Sequence, residues 1–134
     1  MSFPIRAAFS AALLIAATLS MPAKAAILPE CDSAGVLAKI NRTLTIAESN
    51  VVRSGDPVAQ LHYIRQSKLR DQGPRAFAQR YCRATGITEN GRKKRVYYLI
   101  EARGGFAGYT YGVEACILGR DPWKVHGAYC RSLR

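Results

Sequence analysis

The densest charge cluster in the chain is Arg92-Lys93-Lys94-Arg95, which follows directly on Asn90-Gly91. Asn and Gly both accept the positive φ of a tight hairpin turn, so the run falls at the tip of a β-hairpin with alternate side chains on opposite faces. Cations gathered there can hold phosphates or another polyanion, with Arg83 helping from across the hairpin. A solvated hairpin tip, whose lysines discourage edge-to-edge pairing, accounts for the same residues. Trp123 is the single tryptophan and stands just after the turn Gly119-Arg120-Asp121-Pro122. It reads either as an exposed binding anchor or as a cap on one end of the core.

A second set of residues suits acid/base work. His126 is the histidine expected on the sheet, and Glu114 and Glu101, with Arg103 and Arg120, are of the types that make a general acid/base pair with cationic support. A lone histidine without an identified partner is more commonly a surface residue of an edge strand. His62 falls on the apolar side of an expected helix, where packing explains it. The chain has no Gly-x-Ser-x-Gly, no His-Glu-x-x-His and no glycine loop of the phosphate-cradling kind. No cofactor is implied. Exported ribonuclease toxins that are basic and place helices before a four-stranded sheet use residues of these types, but the likeness is one of layout, since no motif matches residue by residue. Seven tyrosines also invite a base-stacking reading. Most fall at alternating strand positions, where burial is the commoner explanation, and Tyr97 and Tyr129 are the ones left most free.

The elements that must position these residues follow from periodicity and turn chemistry. Asp32 or Ser33 can cap a helix with Val36, Leu37, Ile40, Leu44, Ala47 and Val51 on one face, stopped by Gly55. Asp56-Pro57 then reads as the cap and first residue of a second helix, with Val58, Leu61, Ile64 and Leu69 on one side and Gln72-Gly73-Pro74 at its end. From Arg75 the period becomes two. Strands are expected near Phe77–Thr88, Lys93–Ala102, Phe106–Leu118 and Lys124–Arg131, joined at Asn90-Gly91, Gly104-Gly105 and Asp121-Pro122. A two-residue first turn sets Cys82 opposite Leu99, Arg83 opposite Tyr98 and Tyr81 opposite Ile100. The second turn sets Ile100 opposite Tyr109, Tyr98 opposite Tyr111 and Val96 opposite Val113.

The expected architecture is α+β: two N-terminal helices packed on a four-stranded antiparallel meander. This layout resembles that of cystatin-like folds, and a resemblance of layout carries no activity with it. All four cysteines lie beyond residue 30. There is no Cys-x-x-Cys, and His62 and His126 are far apart, so disulfides are expected and a metal site is not. Around the third turn Cys116 can meet Cys130, which leaves Cys31 to tie the first helix to Cys82.

Residues 1–25 have the layout of a cleavable export signal: Arg6, an apolar run from Ala11 to Leu19, and Ala23-Lys24-Ala25 before the cut. The apolar run is about half the roughly 20 residues needed to span a bilayer. Residues 26–134 then form a single small domain, long enough for one modest core. Arg6 and Lys24 are two of the twenty basic residues and the first 25 positions hold none of the nine acidic ones, so a net charge of +11 becomes +9 after cleavage. The function expected of such a domain, periplasmic or secreted, is non-enzymatic binding of an anionic polymer or acidic protein of the envelope through Arg83, Arg92 to Arg95 and Trp123. The alternatives are a small hydrolase acting on RNA, with His126 and a glutamate as acid and base, and a structural envelope factor.

Overall fold

A computed structural model describes residues 28–74 and 76–134. The expected export signal, residues 1–25, lies outside the described residues.

Helix α1, Ala34–Ala47, buries Val36, Ile40 and Leu44 as its spacing requires. Ser33 occupies the N-cap position, although its hydroxyl makes no cap bond. A wide turn, Glu48–Val52, extends the helix and ends at Arg53, which takes the left-handed conformation two residues before the expected stop at Gly55. Glu48 stabilises this exit, accepting hydrogen bonds from the Ser54 hydroxyl at 2.8 Å and the Gly55 amide at 3.0 Å.

The expected second helix is a strand. β1 spans Val58–Arg70 and pairs antiparallel with β2, Gln79–Thr88, through a ladder with register shifts at Val58/Gln60, His62/Arg65 and Gln66/Lys68. A strand alternates every second residue, and each bulge inserts one more. The inward positions therefore come at intervals of three, and Val58, Leu61 and Ile64 pack on the same cluster as α1. That spacing mimics a helical stripe, which is why the period misled. Asp56 and Pro57 accordingly begin no helix.

β2 continues into β3, Lys93–Glu101, and β3 into β4, Gly112–Ile117, giving the sheet order β1-β2-β3-β4. Two corrections of register follow from the turns. The first hairpin has a three-residue loop, Glu89-Asn90-Gly91. The Thr88 amide donates to the Arg92 carbonyl at 2.9 Å, and Gly91 takes φ +75°. A three-residue loop with glycine in the left-handed position is the next hairpin after the two-residue kind. It slides the pairing by one residue, so Cys82 faces Tyr98, Arg83 faces Tyr97 and Tyr81 faces Leu99. The Gly104-Gly105 turn opens into a longer connection. Val96 then faces Ile117, Tyr98 faces Ala115 and Ile100 faces Val113, a slide of four that keeps Val113 on its expected face but leaves Tyr109 and Tyr111, which precede the strand, outside the ladder. Close approach explains the glycines there, since a Cβ on Gly112 would stand 2.7 Å from the Gly104 carbonyl oxygen.

The last expected strand, Lys124–Arg131, does not form. Lys124, Tyr129 and Cys130 all have φ between +50° and +60°, which extended backbone does not allow. The Asp121 carboxylate instead accepts the Val125 and His126 amides, each at 2.9 Å, and a short 3₁₀ segment, Ala128–Leu133, follows. Among the described residues the architecture is therefore α+β with one α-helix and a four-stranded antiparallel sheet, β1 supplying the strand that the C-terminus does not.

Both faces of the sheet carry a packed cluster, the second over part of its face only. On one, α1 packs with Cys82, Ala84, Val96, Tyr98, Ile100, Ala115 and Ile117. On the other, the C-terminal segment lays Cys130 and Leu133 against Tyr81, Tyr97, Leu99 and Cys116. One disulfide staples each layer, with Cys31 joined to Cys82 and Cys116 to Cys130. The Tyr98 hydroxyl donates to the Cys31 carbonyl at 2.8 Å, in the core. Burial, with the Asp32 charge adding to it, pushes that phenol well above its usual range.

Candidate anion-binding site

The hairpin register decides what the basic run can do. Along β3, Lys93 and Arg95 share a face with Tyr97 and Leu99, the face opposite α1, while Lys94 points with Val96 to the other side. Lys94 lines a separate depression with Val52, Ser54 and Arg120 at the end of the sheet. Arg92 is engaged in structure: its Nε meets Asp56 Oδ2 at 3.1 Å. The run is thus divided three ways, and Lys93 and Arg95 are the pair left on the outer face with Arg83.

Two neighbours that sequence reasoning placed on a helix, Arg65 and Tyr63, join them. Arg65 of β1 stands directly opposite Arg83, and Arg95 stands opposite Thr85, two residues along β2 from Arg83. Directly paired Cβ atoms lie about 5 Å apart and diagonal ones about 7–8 Å, within reach of one another for side chains as long as arginine. Arg65, Arg83, Thr85 and Arg95 line one depression of about 230 Å³, with Tyr63 as its wall. Arg65, Arg83, Lys93 and Arg95 are exposed, and none forms an ion pair among the described residues. The carboxylates of the strands, Glu101 and Glu114, lie toward the other end of the sheet, on the rungs facing Gly112 and Leu99. The basic character continues outward, with Lys68 and Arg70 over the Tyr81 ring at 5.3 and 5.2 Å and Arg134 over the Tyr97 ring at 5.7 Å.

Tyr63 owes its place to a bulge. It sits between the paired residues His62 and Arg65, has φ +52° and is 73% exposed. A bulky residue in the left-handed region costs about 1–2 kcal/mol, and no burial offsets it here. Reading β1 as a helix hid both Tyr63 and Arg65; the available signal was the β-branched and aromatic content of Val58, Tyr63 and Ile64.

Asp56 fixes the hairpin that carries the run. It is buried, accepts the Asn90 amide at 2.9 Å, and its Oδ2 meets Arg92 and Arg120 as ion pairs at 3.1 and 3.6 Å. Burial pushes its carboxyl up, but the Asn90 amide, the Thr88 hydroxyl and the two guanidiniums together outweigh that and hold it below the usual carboxylate range. Arg120 also donates to the Asp56 carbonyl at 2.7 Å and approaches Glu48 at 3.7 Å.

The other expected site residues are not drawn into this depression. Trp123 is 72% exposed. It lines a different cavity of about 230 Å³ with Leu44 and Ala47 of α1, Ile117 of β4, Val125 and His126. His126 Nδ1 stands 3.7 Å from Glu114 Oε2, an ion-pair distance longer than the roughly 2.6–3.2 Å of a proton-transfer contact. Glu101 accepts a hydrogen bond from Gln79 at 2.6 Å. Arg120, the expected cationic support, is committed to Asp56 and Glu48. Among the described residues, no group of three or more His, Cys, Asp or Glu is placed to hold a metal ion, and no helix is long and apolar enough to cross a membrane.

No protein-family model matches the chain, and comparison with curated proteins and with solved structures finds no match.

Proposed function

We propose that the protein is an exported, non-enzymatic binding module that engages an anionic partner in the cell envelope through the outer face of its sheet. One observation carries this reading: Arg65, Arg83, Lys93 and Arg95 stand on one face without a carboxylate partner among the described residues. Like charges opposite one another in a sheet destabilise it, so an anion laid across them would relieve a cost that the fold itself leaves unanswered. Export is supported by the leader-like layout of residues 1–25 and by pairing of all four cysteines into disulfides, which persist in oxidising compartments.

The test is retention of the oxidised protein on immobilised anionic polymers at low and moderate salt, with the polymer recovered and sized afterwards. Binding that salt reverses, with the polymer intact, supports the module. The approach of His126 to Glu114 favours the hydrolase as the second reading. Shortened RNA, abolished by His126→Ala in a protein that still folds, would replace the first reading with it.

A further inference from the structure

Resting on the anion-binding reading, we propose that Arg65, Arg83, Arg95 and Thr85 form a receptor for a phosphate monoester, with the Tyr63 ring as a wall for the group that carries the phosphate. Three features of the depression set it apart from a merely basic surface. The first is the cation type. All three charges lining it are guanidiniums, which are planar, always charged and matched to two oxygens of a tetrahedral anion at once, whereas an ammonium is a point charge. The second is their placement on three adjacent strands, β1, β2 and β3, with Arg65 and Arg83 directly opposed and Arg95 on the diagonal. Guanidiniums arriving from three strands surround a small multivalent anion better than they track a thin line of single charges. A phosphate monoester carries about −1.5 to −2 at pH 7, closer to the charge of the cluster than a carboxylate or a sulfate ester. The Thr85 hydroxyl adds a neutral donor at the same place.

The third feature is the strained wall. The bulge that puts Tyr63 at φ +52° turns a large ring outward beside the arginines instead of into the core. Left-handed positions held by bulky residues cluster at ligand clamps. A glycine would take that conformation freely, so the ring's presence at a cost to the backbone points to a use for the ring. An aromatic face next to a phosphate site suits a phosphate ester whose carrier has a flat or apolar surface.

The experiment titrates the protein, with both disulfides formed, with phenyl phosphate, phenyl sulfate, benzoate and inorganic phosphate, followed by backbone-amide and guanidinium NMR. The expected result is perturbation centred on Arg65, Arg83, Thr85 and Arg95, and affinity for phenyl phosphate about tenfold or more above that for benzoate and phenyl sulfate. That preference should shrink as pH falls from 7.5 to 5.5, because the ester loses its second charge near pH 6. Arg83→Lys, which keeps the charge and loses the fork, should remove most of the preference; Lys94→Gln, on the opposite face, should not. Tyr63→Gly should weaken phenyl phosphate several-fold and leave inorganic phosphate unchanged. Equal affinity for the three phenyl anions, or perturbation centred elsewhere, overturns the proposal. Polyphosphate and polyglutamate of matched length, tested at low salt, separate the two levels: if neither is retained, the anion-binding reading itself fails, whereas retention of either polymer beside equal affinity for phenyl phosphate, phenyl sulfate and benzoate leaves that reading standing and sinks this one.

Discussion

Replacing the two disulfides separately by alanine pairs tests how each layer of the fold is held. Cys116–Cys130 closes a loop of sequence separation 14, and Cys31–Cys82 one of 51. Constraint of the unfolded chain gives about 3 kcal/mol for the short loop and about 4 kcal/mol for the long one. The predicted gap is therefore about 1 kcal/mol in favour of the bridge under α1. The figures are comparable because the sites are: each bridge has one end almost wholly buried, Cys82 at 0% and Cys130 at 1% exposure. Urea unfolding followed by far-UV circular dichroism is the suitable assay, since Trp123 is 72% exposed in the folded protein and is a poor reporter of core loss. With a slope of roughly 1–3 kcal/mol/M for a small domain, the midpoint should fall by about 1–3 M for Cys116→Ala/Cys130→Ala and further for Cys31→Ala/Cys82→Ala. If the short bridge is the costlier loss, or both cost under about 1 kcal/mol, loop constraint is not what these bridges contribute and the reasoning fails.

Other perturbations probe single features. Asp56 has a folded pKa below its unfolded value, so its contribution is present above about pH 4 and is lost as pH falls through the lower folded pKa. Asp56→Asn should destabilise the protein at pH 7 and flatten the stability profile below pH 4, as acid-unfolding curves would show; an unchanged profile contradicts the role given to its ion pairs. Tyr63→Gly relieves about 1–2 kcal/mol of left-handed strain against about 0.5–1 kcal/mol of added chain entropy, so thermal melts should show equal or higher stability. A loss of 1 kcal/mol or more would mean that the bulge is not strained. Leu133→Ala empties a fully buried position under the second core and should cost about 2–5 kcal/mol while leaving α1 and its contacts unchanged in NMR spectra. If the whole protein is indifferent to it, the C-terminal segment is not a structural layer.

The α+β class was legible in the sequence because it rests on strong local signals, the period of α1 and the Asn90-Gly91 turn; both cysteine pairings came out as expected, although the strand that was to set Cys130 beside Cys116 does not form. The misreading of β1 came from residues distant in the chain. Three bulges gave β1 the spacing of a helix, and whether Val58, Leu61 and Ile64 form strand or helix is decided by the presence of β2 beside them, which local periodicity does not carry. The one-residue slide of the first hairpin arose because Asn-Gly serves a three-residue loop as well as a two-residue one. The four-residue slide of the second is even, so Val113 stays on the Tyr98 and Ile100 side of the sheet, whereas the one-residue slide of the first moved Tyr81 and Arg83 to the other side. The C-terminal strand was lost to positive φ at Lys124, Tyr129 and Cys130, and these residues carry no glycine to announce it. Half of the candidate site was visible, as Arg83 and Arg95. The other half, Arg65 with Tyr63, was concealed by the misread strand, while Arg92 was an anchor for Asp56 instead of a free cation.

The most direct test of the account is the salt dependence of polyanion binding in Arg65→Gln/Arg83→Gln/Arg95→Gln beside a control of equal charge loss elsewhere, Lys39→Gln/Arg42→Gln/Arg53→Gln on and after α1. Each cation that meets the anion contributes on the order of one to the slope of log affinity against log salt. The account predicts that the sheet-face variant loses about three from that slope and most of its retention at moderate salt, while the control keeps both. Equal losses in the two variants would show that net charge alone draws the partner and that the outer face of the sheet is not the site.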